Sequence, residues 1–276
     1  MNEFNTELGN TTFKNKYASN NFETWRDRAH TIVNDVCGTR NGKEMPIMSK
    51  SDRDYLIKII TELKFLPGGR YIYYAGRDAS FWNNCYLLRL EEDTREEWSG
   101  VTQRAMSCLM TGGGIGIDVS IARPSGRPLR RTGGVASGPL PLLSVINEVG
   151  RNVMQGGSRR SAMYGSLNWQ HEDAFDFLKI KNWHDFKVPG TSLSLAEVKR
   201  NNFNYPAPLD MMNISLNYDD EFLKEVGGGR TPEIFIENCK QALMTGEPGF
   251  SFNFGDKQDE TLRNACTEIT SSDDSD

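Results

Sequence analysis

The chain has 276 residues, of which 37% are hydrophobic and 25% are charged, and its formal net charge is −5. This length can bury a substantial core, as one large domain or two small ones, and the composition is typical of a soluble globular protein. The negative charge argues against a general affinity for nucleic acid or anionic membranes, so any phosphate must be bound locally. No apolar run approaches the about 20 residues of a membrane span, and the polar N-terminus does not resemble a secretion signal.

The cysteine and histidine content limits the metal and disulfide chemistry that the chain can perform. It has five cysteines and three histidines, and no two cysteines form a CxxC pair, so we predict no zinc site and no other metal site. Five cysteines in a chain of this length are not typical of a secreted disulfide scaffold, and we therefore expect a reducing, cytoplasmic environment. The cysteines are Cys37, Cys85, Cys108, Cys239 and Cys266.

The elements predicted along the chain alternate between helices and strands. Helices are predicted where apolar residues recur at helical spacing, and strands where short apolar runs are bounded by turn residues. The predicted helices cover residues 22–36, 51–63, 94–110, 141–154, 172–180 and 231–244. The predicted strands cover residues 85–90, 115–119, 161–167, 211–217 and 249–253. This alternation indicates an α/β fold with a largely parallel sheet.

Boundary residues refine this interpretation. Ser51 or Asp52 is predicted to cap the second helix, which stops at the Pro67-Gly68-Gly69 turn. Two long segments, 122–139 and 182–208, are predicted to be irregular, and loops of this length are usually functional or mobile.

Three glycine-rich segments could present backbone N–H groups to a phosphate: Gly68-Gly69, residues 112–116, and Gly156-Gly157. None of them has the spacing of a Walker loop or of GxGxxG. Nearby arginines would suit bidentate phosphate contacts, so nucleotide binding is one interpretation. The other interpretation is that the glycines form ordinary turns and the arginines a solvated basic surface, and the sequence leaves both interpretations open. These arginines are Arg127, Arg130, Arg131, Arg159 and Arg160.

The segment Asn-Ala-Cys-Thr-Glu near the C-terminus places three chemically complementary side chains at alternate positions. If it is extended, Asn264, Cys266 and Glu268 point to one side and converge on one small volume. They would supply an amide that donates and accepts hydrogen bonds, a thiol that can lose a hydrogen atom or a proton, and a carboxylate base. The alternative is a polar loop with an incidental cysteine, because Asn, Thr and Glu are ordinary loop residues.

Taken together, these motifs resemble the catalytic subunit of ribonucleotide reductases, over roughly residues 60 to 270. The run Leu66-Pro67-Gly68-Gly69-Arg70, the Gly112-Gly113-Gly114 run and a short N-terminus without an obvious ATP-cone domain make the chain similar to the adenosylcobalamin-dependent class II enzymes. The matching segments are residues 65–77, 83–85, 112–118, 127–138 and 264–268.

The resemblance implies a role for each matching residue. Cys266 would lie at the tip of a finger loop inside a barrel and become a thiyl radical that removes the ribose 3′ hydrogen. Glu268 would act as general base on the 3′ hydroxyl, and Asn264 would hydrogen-bond the sugar hydroxyls. Cys85 would be one of two reducing thiols, and Asn84 would lie against the substrate. Substrate binding would also involve Gly68, Gly69, Gly113 and Gly114.

The resemblance also implies allosteric regulation, in which a deoxynucleoside triphosphate effector binds at a region that faces the dimer partner. The matching positions are Asp93 and the loop that carries Arg127, Arg130 and Arg131, with the helix at 141–154 as the dimer face. We therefore expect a homodimer.

The resemblance also implies a domain plan. Residues 1–64 would form an N-terminal helical region, and residues 65–276 the first half of a ten-stranded α/β barrel, with the effector and dimer region at about 93–160 and the finger loop at about 260–270. The second reducing cysteine and the second half-barrel are missing, so we expect an incomplete or split catalytic subunit. A complementary C-terminal polypeptide would complete it and hold most of the cobalamin. Split reductase genes are a pattern associated with phages, which points to a viral source.

The reaction expected from the resemblance is reduction of ribonucleoside di- or triphosphates, with electrons from a thioredoxin- or glutaredoxin-like protein. No nucleic-acid or membrane partner is expected. Two alternatives remain: a non-catalytic nucleotide-binding and dimerisation module, and a class I large subunit that uses a separate metal-radical subunit.

Overall fold

The computed structural model describes residues 4–20, 22–40, 43–44, 48–78, 81–129, 133–153 and 161–272. The chain divides into two compact units, Met1–Asn84 and Cys85–Asp276. This division falls later in the chain than the boundary after residue 64 that the sequence suggested. Within the described part, no helix is both long enough and apolar enough to cross a bilayer.

The first unit is mainly helical. Trp25, Ala29 and Val33 of the second helix pack against Ile60 of the third, and the Trp25 indole N–H donates to the Ile60 carbonyl oxygen at 2.9 Å. The elements are α1 (Glu7–Thr12) with a π-helical turn (Phe13–Tyr17), α2 (Trp25–Cys37), β1 (Thr39–Arg40), β2 (Lys43–Glu44), α3 (Lys50–Thr61) and α4 (Gly69–Tyr74).

The start of α3 differs from the sequence prediction. The capping residue is Ser49, whose hydroxyl accepts from the Asp52 N–H at 3.2 Å, whereas Ser51 or Asp52 was expected. Ser49 has the extended backbone of an N-cap, and the acidic Asp52 follows at the third helical position, where it faces the positive end of the helix.

The second unit is built on a five-stranded sheet in which all strands are parallel and neighbouring strands follow one another in the chain. The predicted α/β fold with a parallel sheet is confirmed, and each of the five strands lies within two residues of its predicted bounds. The strands are β3 (Cys85–Arg89), β4 (Gly114–Asp118), β5 (Met163–Asn168), β6 (Met212–Tyr218) and β7 (Gly249–Phe252).

Helices follow the strands, and a short hairpin follows the last strand. The helices are α5 (Arg95–Met110), α6 (Pro139–Asn152), α7 (Ala174–Lys179), α8 (Leu195–Asn201), α9 (Asp220–Gly227) and α10 (Glu233–Thr245). After a 3-10 turn (Gly255–Lys257), β8 (Leu262–Arg263) pairs with β9 (Thr270–Ser271). Helix α8 begins inside the segment predicted to be irregular, where a capping box of Ser194 and Glu197 starts it.

The two faces of the sheet differ in chemistry. One face is apolar and packs against helices α5, α6 and α7, as shown by Ile115, Ile117 and Leu216, which are almost fully buried. Because side chains alternate along a strand, the opposite face carries the intervening residues, which are small or polar except for Leu87. On this polar face lie Cys85, Gly114, Gly116, Asp118, Tyr164, Ser166, Ser215, Asn217 and Ser251.

A buried ion-pair network fixes the segment that leads into β6. The Asp210 carboxylate accepts from Arg151 of α6 at 2.5 Å and 3.0 Å and from Lys199 of α8. Burial raises the pKa of Asp210, but the hydrogen bonds from these two cations outweigh it and hold the pKa below its usual range.

Candidate active site

The Asn-x-Cys-x-Glu segment forms the tip of the hairpin. The Thr267 N–H donates to the Asn264 carbonyl oxygen at 3.0 Å, and Thr267 has a φ of 68°. The segment is therefore a turn. The condition of an extended run is not met, and strand alternation does not decide where Asn264, Cys266 and Glu268 point. The chain reverses direction because β8 and β9 pair on either side of it.

Asn264 is the buried brace of this tip. Its side chain is fully enclosed, its Oδ1 accepts from the Ile269 N–H at 3.1 Å, and its own N–H donates to the Ile269 carbonyl at 3.3 Å. Because the group facing Ile269 must be an acceptor, the amide NH₂ points elsewhere. Among the described residues, this NH₂ has no hydrogen-bond partner. The Asn264 NH₂ is therefore a hydrogen-bond donor that is buried away from solvent.

Cys266 and Glu268 are exposed on the turn, whereas the neighbouring Ala265 is buried. The thiol and the carboxylate are therefore accessible to a ligand from outside this part of the chain. Within the five residues, Asn264 and Ala265 are therefore buried, and Cys266, Thr267 and Glu268 are exposed.

Two glycines of β4 allow the hairpin to approach the sheet closely. A Cβ at Gly116 would lie 1.6 Å from the Arg263 carbonyl oxygen, and one at Gly114 would lie 2.9 Å from the Ala265 Cβ. A side chain at either position would displace the hairpin. In the glycine run that the sequence analysis assigned to substrate binding, Gly114 therefore packs against the hairpin. The Gly113 N–H donates to the Cys108 carbonyl oxygen at 3.2 Å, at the C-terminal end of α5.

Cys85 lies at the edge of the sheet beside this contact. It is the first residue of β3, it is half-buried, and its register partner on β4 is Gly114. Neighbouring strands are about 4.8 Å apart, and β8 contacts both β3 and β4. The structure therefore brings Cys85 and the turn that carries Cys266 to the same end of the polar face.

Arg263 extends from the hairpin to the last strand of the sheet. Its Nε donates to the Ser251 hydroxyl at 2.6 Å, and its Nη2 donates to Asn253 Oδ1 at 2.5 Å. Ser251 and Asn253 are 4% and 2% exposed, so these bonds are shielded from water. Arg263 was absent from the sequence prediction, although an arginine directly before the Asn-x-Cys-x-Glu segment was visible.

A second polar group lies on the same face. Asp118 Oδ2 accepts from Ser166 Oγ at 2.6 Å and from Asn217 Nδ2 at 2.7 Å. Burial raises the pKa of the Tyr164 phenol, against the opposing effects of the nearby Ser215 hydroxyl and Arg263 charge. The sequence reasoning missed these residues, but polar residues at every second position of β5 and β6 were a usable signal.

The remaining substrate candidates belong to the first unit. Gly68 precedes α4 and Gly69 begins it, and a Cβ at Gly68 would lie 3.7 Å from the Asn84 amide nitrogen. Their relation to the substrate stays a prediction.

The effector candidates are occupied by partners within the chain. Asp93 accepts from the Arg123 backbone N–H at 3.1 Å and from its guanidinium, and Arg127 forms an exposed ion pair with Glu172. Arg130 and Arg131 lie outside the described residues, as do Arg159 and Arg160 and the Gly156-Gly157 pair. In the described ranges, no group of three or more His, Cys, Asp and Glu residues could hold a metal ion.

Comparison with known proteins identifies the family. Residues 83–275 match the family model "Ribonucleotide reductase, barrel domain". A vitamin B12-dependent ribonucleoside-diphosphate reductase of Mycobacterium tuberculosis is 29% identical over 194 residues, covering 70% of this chain and 27% of that protein. The ribonucleoside-diphosphate reductase large chain of Schizosaccharomyces pombe is 26% identical over 246 residues, covering 76% of this chain and 30% of that protein. The ribonucleoside-diphosphate reductase large subunit of Danio rerio is 34% identical over 129 residues, covering 45% of this chain and 16% of that protein.

The chain thus spans 27% and 30% of the first two of these relatives. The matched region contains the whole parallel sheet, with its polar face, and the hairpin that carries Cys266. The chain belongs to the family of ribonucleotide reductase large subunits, as part of their barrel domain.

Proposed function

We propose that this chain carries the thiol chemistry of a ribonucleotide reductase, in which Cys266 forms a thiyl radical that reduces a ribonucleotide to a 2′-deoxyribonucleotide. The observation that carries the proposal is the exposed Cys266 on a turn that Asn264 braces against the polar sheet face, at the end where Cys85 lies. A sulfur on a fixed turn can approach a sugar carbon repeatedly in one geometry, which radical hydrogen transfer requires.

The side chains of the tip have separable roles in this proposal. The Cys266 S–H bond is comparable in strength to the ribose 3′ C–H bond, so hydrogen transfer between them is nearly balanced and reversible. Glu268 removes the proton of the 3′ hydroxyl, which eases loss of the 2′ hydroxyl as water. The Asn264 NH₂, a buried donor without a partner among the described residues, orients the sugar hydroxyls.

Reducing equivalents come from a pair of thiols, of which Cys85 is one. Two thiols give two electrons and two protons to the substrate as they become a disulfide, and a thioredoxin- or glutaredoxin-like protein restores them by exchange. We place the second thiol in a part of the reductase beyond this chain.

The oxidant that generates the radical distinguishes the proposed class II enzyme from a class I enzyme. Adenosylcobalamin, when bound, supplies homolytic chemistry that can take a hydrogen atom from a thiol. The accessible Cys266 fits this role, and the Mycobacterium tuberculosis and Thermoplasma acidophilum relatives are named vitamin B12-dependent. The relatives from Schizosaccharomyces pombe and Danio rerio do not have this qualifier in their names, which keeps a separate metal-radical subunit as the alternative.

The activity requires more polypeptide than this chain. Because the chain spans less than a third of the first relatives, we propose that a complementary C-terminal half supplies the remaining barrel and most of the cobalamin site. A homodimer through α6, with a deoxynucleoside triphosphate effector near Arg127, Arg130 and Arg131, remains part of this proposal.

The test is made on the reductase assembled from this chain and the complementary polypeptide. Cys266→Ser should abolish ribonucleotide reduction with adenosylcobalamin, because a hydroxyl O–H bond is too strong to form the radical. Cys239→Ser on α10 is the matched control and should keep near wild-type turnover. Unchanged turnover in Cys266→Ser would refute the proposed role, and nucleotide binding without reduction in the wild-type assembly would favour the non-catalytic module. A requirement for an iron or manganese subunit would assign class I.

A further inference from the structure

The hairpin that carries Cys266 is attached to the sheet at two separate places. Its backbone lies directly on β4 at Gly116, where a Cβ would be only 1.6 Å from the Arg263 carbonyl oxygen. The Arg263 side chain reaches Ser251 of β7 and Asn253 just beyond it. One residue therefore makes both contacts, the first through its backbone and the second through its guanidinium.

The distance between these attachments shows how the sheet is shaped around the hairpin. Strands β4 and β7 are separated by β5 and β6, so in a flat sheet they would be about 14 Å apart. A single side chain does not bridge such a gap. The sheet must curve so that its polar face is concave, as twisted sheets do, and the hairpin must lie inside the curve.

The two acceptors suit an arginine. Ser251 and Asn253 are two positions apart, so they point to the same side of the chain, and the planar guanidinium presents separate N–H groups to each of them. Asn253 is itself held by its backbone N–H, which donates to Tyr218 O at 2.9 Å. The anchor on the β7 side is therefore rigid.

We infer that Arg263 is a positioning residue that fixes the height and direction of the Cys266 turn by tying it to Ser251 and Asn253. Only two residues separate Arg263 from Cys266, and the bonds of Asn264 with Ile269 and Thr267 make the intervening turn stiff. Movement of β7 is thereby transmitted to the thiol. The consequence for catalysis rests on the proposed function of Cys266, whereas the mechanical coupling does not.

The coupling is tested in the assembled reductase by hydrogen–deuterium exchange of the peptide that spans residues 264–271. Arg263→Lys keeps the charge but replaces the two guanidinium nitrogens that hold Ser251 and Asn253 with a single nitrogen, and exchange at the Thr267 and Ile269 amides should accelerate at least tenfold. Peptides from α5 and β5 should be unchanged. The control is Arg230→Lys, an exposed arginine that pairs with Glu225 at 3.9 Å, and it should leave the turn as in wild type. Unchanged exchange at the turn in Arg263→Lys would overturn the inference.

A double-mutant cycle guards against general loss of stability. Ser251→Ala removes one of the two acceptors and should accelerate exchange at the turn severalfold, but it should add little to Arg263→Lys because both changes disturb the same Arg263–Ser251 bond. Additive effects of the two changes would contradict the coupling.

Steady-state kinetics then separate the coupling from the proposed function. We expect Arg263→Lys to lower kcat at least tenfold with the nucleotide KM within twofold, because binding groups remain while the thiol is misplaced. If exchange responds as expected but Cys266→Ser stays active, the coupling stands and the proposed function fails. A tenfold rise in KM with no change in kcat would refute the positioning role.

Discussion

Tyr164, Asn217 and Asn264 each bury a polar side-chain atom that has no hydrogen-bond partner among the described residues. Leaving such an atom unpaired costs about 1–3 kcal/mol, and native proteins usually keep it only where water or a ligand completes the pairing. All three residues lie on the polar face or in the turn above it. A polar ligand or water on this face would complete their pairing.

Removing the Tyr164 hydroxyl should not harm the fold. Tyr164→Phe deletes an unpaired buried polar atom and keeps the ring, so we expect the free energy of unfolding to stay equal or to rise by up to about 2 kcal/mol. Urea denaturation followed by circular dichroism measures this change. A decrease of more than about 1 kcal/mol would show that the hydroxyl has a stabilising partner.

The same substitution should alter stability in alkaline solution. The pKa of Tyr164 is raised from its ordinary value of 10.0, chiefly by burial, so the folded chain keeps this proton after the unfolded chain has lost it. The contribution to stability is therefore complete below pH 10 and is lost as the pH rises beyond it. Melting temperatures between pH 9 and pH 11 should fall less steeply in Tyr164→Phe than in wild type. Parallel curves would contradict this assignment.

The hairpin and β4 depend on each other as elements. Gly116→Ala places a Cβ against the Arg263 carbonyl, a backbone atom that cannot rotate away, so the hairpin must shift and stability should fall by about 1–3 kcal/mol or more. Gly100→Ala in α5 is the control, because its Cβ meets only the ends of the Arg104 and Glu97 side chains. The control should gain about 0.5–1 kcal/mol from better helix propensity.

Both glycine variants are compared by denaturant unfolding and by the rate at which a maleimide modifies Cys266. Only Gly116→Ala should change that rate, since it alone moves the turn. Equal stability of Gly116→Ala and wild type would mean that the hairpin does not rest on β4.

The sequence predicted the central strands well because each is a short segment between turn residues in which apolar residues recur at every second position, as one buried apolar face requires. The residue pattern left the conformation of the Asn-x-Cys-x-Glu segment open for a physical reason. Alternating residues such as Asn264, Cys266 and Glu268 suit a strand or a turn equally, and the choice is made by contact with Gly114 and Gly116, far earlier in the chain. Helix α9 was also missed, because its eight residues offer little periodicity. The capping residue Asp219 was the one local signal for its start.

The candidate site was only partly readable from sequence for a similar reason. The resemblance named the thiols and the carboxylate because their chemistry is fixed by residue type. Arg263, Ser251 and Asn253 carry no such signature. Their importance depends on which strands the fold brings together, and no local pattern contains that information.

At the scale of the whole molecule, the chain spans less than a third of the first relatives, and the proposed function places some of the groups needed for turnover outside it. Cys85→Ser tests this dependence in the assembled reductase. Because Cys85 is one of the proposed pair of reducing thiols, the variant should stop after at most one turnover with a protein dithiol, while substrate still binds. The measurement is product formed per enzyme over time. Sustained turnover would exclude Cys85 from the reducing pair, and Cys108→Ala on α5 serves as the control.

The order of the strands has a consequence for biosynthesis. Because β3 to β7 are neighbours in chain order, a nascent chain can add each strand to the one before it as it leaves the ribosome. The hairpin is the exception, since it returns from the end of this sequence to the first two strands. Its docking closes the longest loop in the unit and must come last. The thiol at residue 266 therefore reaches its working position only after every strand that supports it is complete.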